Sequence, residues 1–123
     1  METPALVQKK CREVPAGTLP LDAVKVRAYL DQLKSWELTD DRTISRKLVT
    51  KDFLAAVSFI NRIAELAEGE DHHPDLHLIG YRNLVITLST HSIGGLSEND
   101  FILAAKIDRL VADNGALLKK PAA

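Results

Sequence analysis

Three of the chain's four histidines fall between His72 and His77, inside the stretch GEDHHPDLH, beside Glu70, Asp71 and Asp75. Imidazole titrates near neutrality, so such a cluster can hold a metal ion or can move protons, one ring giving while another takes. The spacing speaks against a metal. His73 and His77 would share one face of a helix, as a zinc-binding helix requires, but Pro74 disfavours a helical His73. In an extended chain those two side chains stand roughly 13 Å apart, too far to share an ion. Adjacent His72 and His73 are poorly placed to chelate one metal, and the chain has a single cysteine and no HExxH motif. No metal site is expected. Acid–base work suits the pattern better. His72 and His73 sit on a helix-to-strand turn, where side chains project into a cleft, and His91 ends a long strand of the same sheet. The two strands between them read as a hairpin, which returns His91 to the neighbourhood of the turn. Glu68, Asp71 and Asp100 can orient the rings or bind polar groups of a ligand. His77 falls on a strand with no evident partner and reads as a surface histidine.

The elements that must position these groups are legible from periodicity. Pro4, Pro15 and Gly17 punctuate residues 1–19, which read as an N-terminal tail ending before Pro20. In LDAVKVRAYLDQLK, Val26, Tyr29, Leu30 and Leu33 fall at helical intervals. WELTDDRTISRKLVT follows as two short strands about a turn at Asp40, Asp41 and Arg42, with Ile44, Arg46 and Leu48 on one face of the second. Phe53, Ala56, Val57, Ile60, Ile63, Ala64 and Ala67 form the apolar stripe of a second helix, and Gly69 stands where a C-cap glycine belongs. LHLIGYRNLVITLSTH reads as two extended stretches about a turn near Gly80–Asn83, with Leu84, Ile86 and Leu88 alternating along the second. Ser97 and Asp100 then open a last helix in a capping-box arrangement; Phe101, Ala104, Ala105, Ile107, Leu110 and Val111 are its stripe, and Asn114-Gly115 its stop. The order α-β-β-α-β-β-α predicts an α+β domain over residues 20–115, a four-stranded antiparallel sheet with its helices on one face. Residues 116–123 read as a C-terminal tail. The other sheet face must be polar, or covered by a ligand or partner.

Bulk properties narrow the class. The chain has 123 residues, enough for one domain with its own core, and 46% of them are hydrophobic. A formal net charge of −1 without a basic block disfavours binding led by nucleic-acid phosphates. No apolar run approaches the roughly 20 residues that cross a bilayer, so no membrane partner is expected. METPALVQKKC has no apolar signal-peptide core. Lone Cys11 cannot pair internally and reads as a free thiol near a mobile tail; the simplest compartment is the cytoplasm.

Taken together, Glu68, then His72-His73-Pro74, then Tyr81, then TLSTH ending at His91, then GLSENDF with Asp100 resemble the signature of the pterin-4a-carbinolamine dehydratases. The likeness runs back through KDFLAAVSFINRIAELAE to Trp36 and forward through ILAAKID, covering residues 21–111. It implies the four-stranded sheet with three helices on one side. It also implies an activity, removal of water from a 4a-hydroxytetrahydropterin to give the quinonoid dihydropterin, with no metal and no redox cofactor. By position, the resemblance makes His72 and His91 the acid and base and His73 a substrate holder. It makes Pro74 a rigid corner, sets Thr90, Ser92 and Ile93 against the pterin, and offers Glu68 and Asp100 as supporting carboxylates. Two departures stand out: one extra residue between Pro74 and Tyr81 relative to animal members, and Leu76 where those members carry Trp.

PDLHL and SIGGLSENDFILAAKID also resemble a branch of pterin-dehydratase-like proteins that help RuBisCO assemble. That likeness implies a non-catalytic binding surface, and RuBisCO as partner, in place of an open cleft. The family resemblance implies a homo-oligomer, a dimer or tetramer, whose assembly would cover an apolar sheet face.

Overall fold

The computed structural model describes residues 5–119 apart from Lys34. Helix α1 (Ala23–Leu30), strands β1 (Glu37–Asp40) and β2 (Thr43–Val49), helix α2 (Phe53–Glu70), strands β3 (Asp75–Ile79) and β4 (Asn83–Leu88) and helix α3 (Glu98–Asp113) follow the order read from the sequence. Side-chain caps mark where the first two helices start. Asp22 accepts from the Lys25 N–H at 2.9 Å and Asp52 from the Ala55 N–H at 2.7 Å, each cap contributing about 1 kcal/mol.

The sheet is antiparallel throughout, in the order β1-β2-β4-β3. Rungs such as Leu48↔Leu84, Arg46↔Ile86 and Ile44↔Leu88 put the alternating apolar residues of β2 and β4 on one face. Ile44, Leu84, Ile86 and Leu88 are buried there in one core with Phe59 and Ile63 of α2 and Phe101, Leu103 and Ile107 of α3. Arg46 is the polar member of this inner face. It is accommodated because its guanidinium pairs with Asp108 of α3, which also accepts from Trp36 Nε1 at 2.7 Å. The outer face carries Lys47, Val85 and His77 along one rung and Val49, Asn83 and Ile79 along another.

Four details depart from expectation. Helix α2 runs through Gly69 to Glu70, and Asp71, not Gly69, takes the left-handed cap at φ 53° and ψ 39°. Aspartate tolerates that conformation, so the helix could continue one further turn-step toward the histidines. Second, the buried stripe of α2 is Ala55, Ala56, Phe59, Ile63 and Ala67. Phe53, Val57 and Ala64 point outward, because the stripe is rotated by the sheet the helix packs on. Third, β4 ends at Leu88, and His91 opens a single 3-10 turn, His91–Ile93, instead of ending the strand. Fourth, the segment read as an N-terminal tail is packed on the domain. Leu6 is 4% exposed within the core, and Cys11 is buried instead of lying on a mobile tail. That cover explains why α3 buries Asn99 to Ala104 without a break: one side meets the sheet and α2, the other the N-terminal segment. At the opposite end, Lys119 N–H donates to Val49 O and Lys51 N–H to Leu117 O, at 2.9 and 3.0 Å. Among the described residues no helix is long and apolar enough to cross a membrane.

Candidate active site

The end of α2 and the start of β3 deliver His72. Its backbone N–H still donates to Ala67 O at 3.3 Å, one last bond of the helix, before Pro74 turns the chain into the sheet. Strand β4 runs antiparallel to β3 with Thr87 opposite Asp75. The chain that leaves β4 therefore passes the His72–Pro74 bend, which brings Thr90 and His91 to the same end of the sheet. Gly94 then turns back in the left-handed region at φ 66°, and Thr90 N–H donates to Gly95 O at 2.8 Å. A side chain at Gly95 would meet the Pro20 ring at 2.7 Å, so only glycine allows this return. The return carries Ser97 and the first turn of α3 up to Thr90.

Asp100 stands at the centre of what results. It is 0% exposed. One oxygen, Oδ2, accepts from Thr90 Oγ1 at 2.8 Å and from the Ser97 N–H at 3.0 Å. The other, Oδ1, lies 2.6 Å from His72 Nε2. The Ser97 hydroxyl stands 2.7 Å from Thr90 Oγ1; since Thr90 donates to Asp100, Ser97 donates to Thr90. A carboxylate in the first turn of a helix also sits in the favourable field of the free amides. As a carboxylate Asp100 accepts on both oxygens, so a neutral His72 carries its proton on Nε2 and leaves Nδ1 bare. Asp100 thus does two things, closing the N-terminus of α3 and fixing the tautomer of His72, and it has no surface left for a ligand.

The other predicted residues are more open. His73 Nε2 lies 3.3 Å from Glu68 Oε1, both largely exposed. His91 Nε2 lies 4.0 Å from Asp75 Oδ2, also exposed. Pro74 and Ile93 are half-buried, Ser92 is exposed and Thr90 is buried. His77 projects from the exposed face of β3, as its alternation suggested. Among the described residues, no group of three His, Cys, Asp or Glu side chains is gathered with the geometry of a metal site.

His72 lines a cleft of about 460 Å³, together with Thr90, Ser92 and Asn99 on one side and residues 10–14 of the N-terminal segment on the other. His73 and His91 flank this end of the sheet without lining that cleft. The N-terminal wall was not foreseen, and neither was its anchor, Glu70. Glu70 Oε1 accepts from the Cys11 N–H at 2.9 Å and from Lys106 Nζ at 3.1 Å. Burial alone would raise the Glu70 carboxyl, but those two donors outweigh it and hold the group below its ordinary value. The Cys11 thiol is pushed up to about 12, first by burial and then by the neighbouring Glu70 charge. The one hint in the sequence was Lys106, a charge set among the apolar residues of α3.

Comparison with known proteins agrees with the geometry. The model of the family described as pterin 4 alpha carbinolamine dehydratase matches residues 19–110. A Halorhodospira halophila protein, provisionally named as such a dehydratase, is 46% identical over 109 residues, 88% of this chain and 99% of its own. The mitochondrial pterin-4-alpha-carbinolamine dehydratase 2 of Arabidopsis thaliana is 43% identical over 94% of this chain and 63% of its own. Among solved structures, a transcriptional coactivator/pterin dehydratase from Brucella melitensis superposes with a TM-score of 0.68 at 34% identity, covering 74% of this chain and 97% of the other. A pterin dehydratase-like RuBisCO assembly factor of the alpha-carboxysome gives 0.52 at 22% identity over 63% and 89%, a likeness of fold alone. From its histidine bend to its capped third helix, the chain belongs to the pterin-4-alpha-carbinolamine dehydratase family.

Proposed function

We propose that the protein dehydrates a 4a-hydroxytetrahydropterin to the quinonoid dihydropterin, within the recycling of tetrahydrobiopterin. The observation that carries this reading is His72 held at 2.6 Å by a buried carboxylate on the wall of an open cleft. In the reaction the C4a–O bond breaks, the hydroxyl takes a proton and leaves as water, and the N5 lone pair forms the C4a=N5 double bond. A ring N–H proton is then lost. One imidazole gives the first proton and another takes the second. His72, steadied by Asp100 on the cleft wall, and His91, outside the cleft lining at the same end of the sheet, fill these two roles. His73, also outside the lining, holds the part of the substrate that projects from the cleft. Thr90 acts by locking Asp100. Ser92 and Ile93, beside His91, contact the pterin, with Pro74 and Glu68 at the opposite corner. No metal and no cofactor enters the scheme.

The alternative, a chaperone for RuBisCO without catalysis, shares the fold; it calls for a filled cleft, whereas the one beside His72 is open. We also propose a homo-oligomer, for reasons of surface set out below.

The test is decay of a 4a-carbinolamine in the presence of purified protein. The wild type accelerates it, and the double replacement His72→Ala with His91→Ala returns it to the buffer rate while circular dichroism stays native. A wild type that leaves the decay at the buffer rate sinks the proposal.

A further inference from the structure

We infer that residues 10–14 form the specificity wall of the substrate cleft, and that Lys10 and Arg12 recognise a neutral, polyhydroxylated substituent at C6 of the pterin. This inference rests on the dehydratase reading of the same cleft, and it concerns a segment that lies before the family match at residues 19–110.

The wall is fastened through its backbone. Cys11 N–H donates to Glu70 Oε1 at 2.9 Å and Arg12 N–H donates to Asn99 Oδ1 at 3.0 Å. Asn99 Nδ2 donates back to Arg12 O at 2.6 Å, and Lys9 Nζ binds Glu98 Oε2 at 3.1 Å. The side chains left over include two cationic ones, Lys10 and Arg12, with Glu13 beside them. Among the described residues Lys10 Nζ hydrogen-bonds only the Gly69 carbonyl, at 3.4 Å, and its charge is felt at Glu70. The Arg12 guanidinium makes no hydrogen bond or ion pair with the described residues, although its charge is felt at Glu98. Both residues are exposed and both line the cleft that holds His72.

In the inferred pose the C6 substituent points toward residues 10–14. Proton transfer happens at C4a and N5, and C6 is bonded to N5, so the substituent leaves the ring two bonds from the reacting carbon. A cleft of about 460 Å³ lies in the range of sites that enclose a whole small ligand. Guanidinium and ammonium groups are donors only, and hydroxyl oxygens accept from them. An anionic substituent is a poorer match, because Glu13 and Asp71 line the same cleft and offset the two cations.

The experiment compares kcat and KM for two 4a-hydroxytetrahydropterins, one bearing a methyl and one a trihydroxypropyl group at C6, in wild type and Arg12→Ala. The wild type prefers the trihydroxypropyl substrate. In Arg12→Ala the ratio of the two kcat/KM values falls about tenfold, the size of one hydrogen bond to a charged donor, and the fall is carried by KM. Lys10→Ala moves the ratio in the same direction. Arg12 is exposed and its backbone bonds survive truncation, so native circular dichroism is expected. Equal losses on both substrates, or none, overturn the wall and leave the dehydratase reading standing. So does a 6-carboxyl pterin that outcompetes the polyol. A wild type inactive on both pterins removes the dehydratase reading, and this inference with it.

Discussion

Asp100 is the residue on which both the fold and the chemistry turn, because its two oxygens face different tasks. Oδ2 already takes two donors, Thr90 Oγ1 and the Ser97 N–H. In Asp100→Asn the amide oxygen must keep that place, which aims the NH₂ group at His72. A donor there forces Nε2 to accept, so the proton of neutral His72 moves to Nδ1. Orientation survives while the tautomer inverts, and the negative charge that steadies an imidazolium is gone. We expect kcat to fall by up to about 10⁴-fold with KM little changed, the size of the loss when the Asp of a Ser-His-Asp triad becomes Asn and the histidine tautomer is inverted. The imidazole ¹⁵N shifts of His72 should report the exchange of protonated and bare nitrogens. A native shift pattern in an inactive variant would place the loss elsewhere. Sequence reasoning named Asp100 for its capping position and for its place in the family signature. It could not show that one side chain meets both demands, since that depends on Gly94 and Gly95 folding the chain back onto Thr90.

At the scale of elements, the segment ahead of α1 behaves as part of the domain. Asn99 grips it with two hydrogen bonds to the Arg12 backbone, and the thiol of Cys11 lies beneath. Each such bond contributes about 1 kcal/mol, so Asn99→Ala should ease local opening by about 10- to 30-fold. Cys11 reports this directly. A thiol reagent at pH 8 labels the native protein slowly, because burial and Glu70 keep the thiol protonated. Labelling should quicken by the same factor in Asn99→Ala, and an unchanged rate would mean that the segment is held by something other than Asn99. The helices and strands themselves were legible because their apolar residues repeat at 3.6 or at 2 over long runs. Ile44, Leu48, Leu84, Ile86 and Leu88 all lie where alternation put them. The packed N-terminal segment was not legible. Its prolines and glycine resemble those of a linker, and its two anchors, Leu6 and Cys11, stand five residues apart without a period. The outward turn of Phe53 and Val57 was hidden for a related reason: an apolar stripe tells which residues share a face, and tertiary contacts decide which edge of it is covered.

At the scale of the whole molecule, that outward turn leaves apolar surface to be explained. Phe53 is 55% exposed and Leu54 79%, and Val57 follows one turn later on the same helix. They form an outer face of α2 that the described residues do not cover. The outer face of the sheet is more mixed, with Lys47, His77 and Asn83 between Val49 and Ile79, so it is the weaker candidate for contact. Large side chains grouped in this way on one helix usually mark an interface. A second copy of the chain offers a matching face by symmetry, since a two-fold axis lays α2 against its own twin. We therefore expect light scattering at micromolar concentration to give a multiple of the 13.6 kDa chain mass. Leu54→Lys should return the protein to monomers with native circular dichroism, because Leu54 makes little contact inside its own chain. The cleft is built within one chain, from residues 10–14, the end of α2 and the turn after β4. Monomers of Leu54→Lys should accordingly keep most of the dehydratase rate. A wild type that is monomeric under these conditions refutes the interface. A Leu54→Lys variant that is monomeric but inactive would instead mean that the partner copy completes the site.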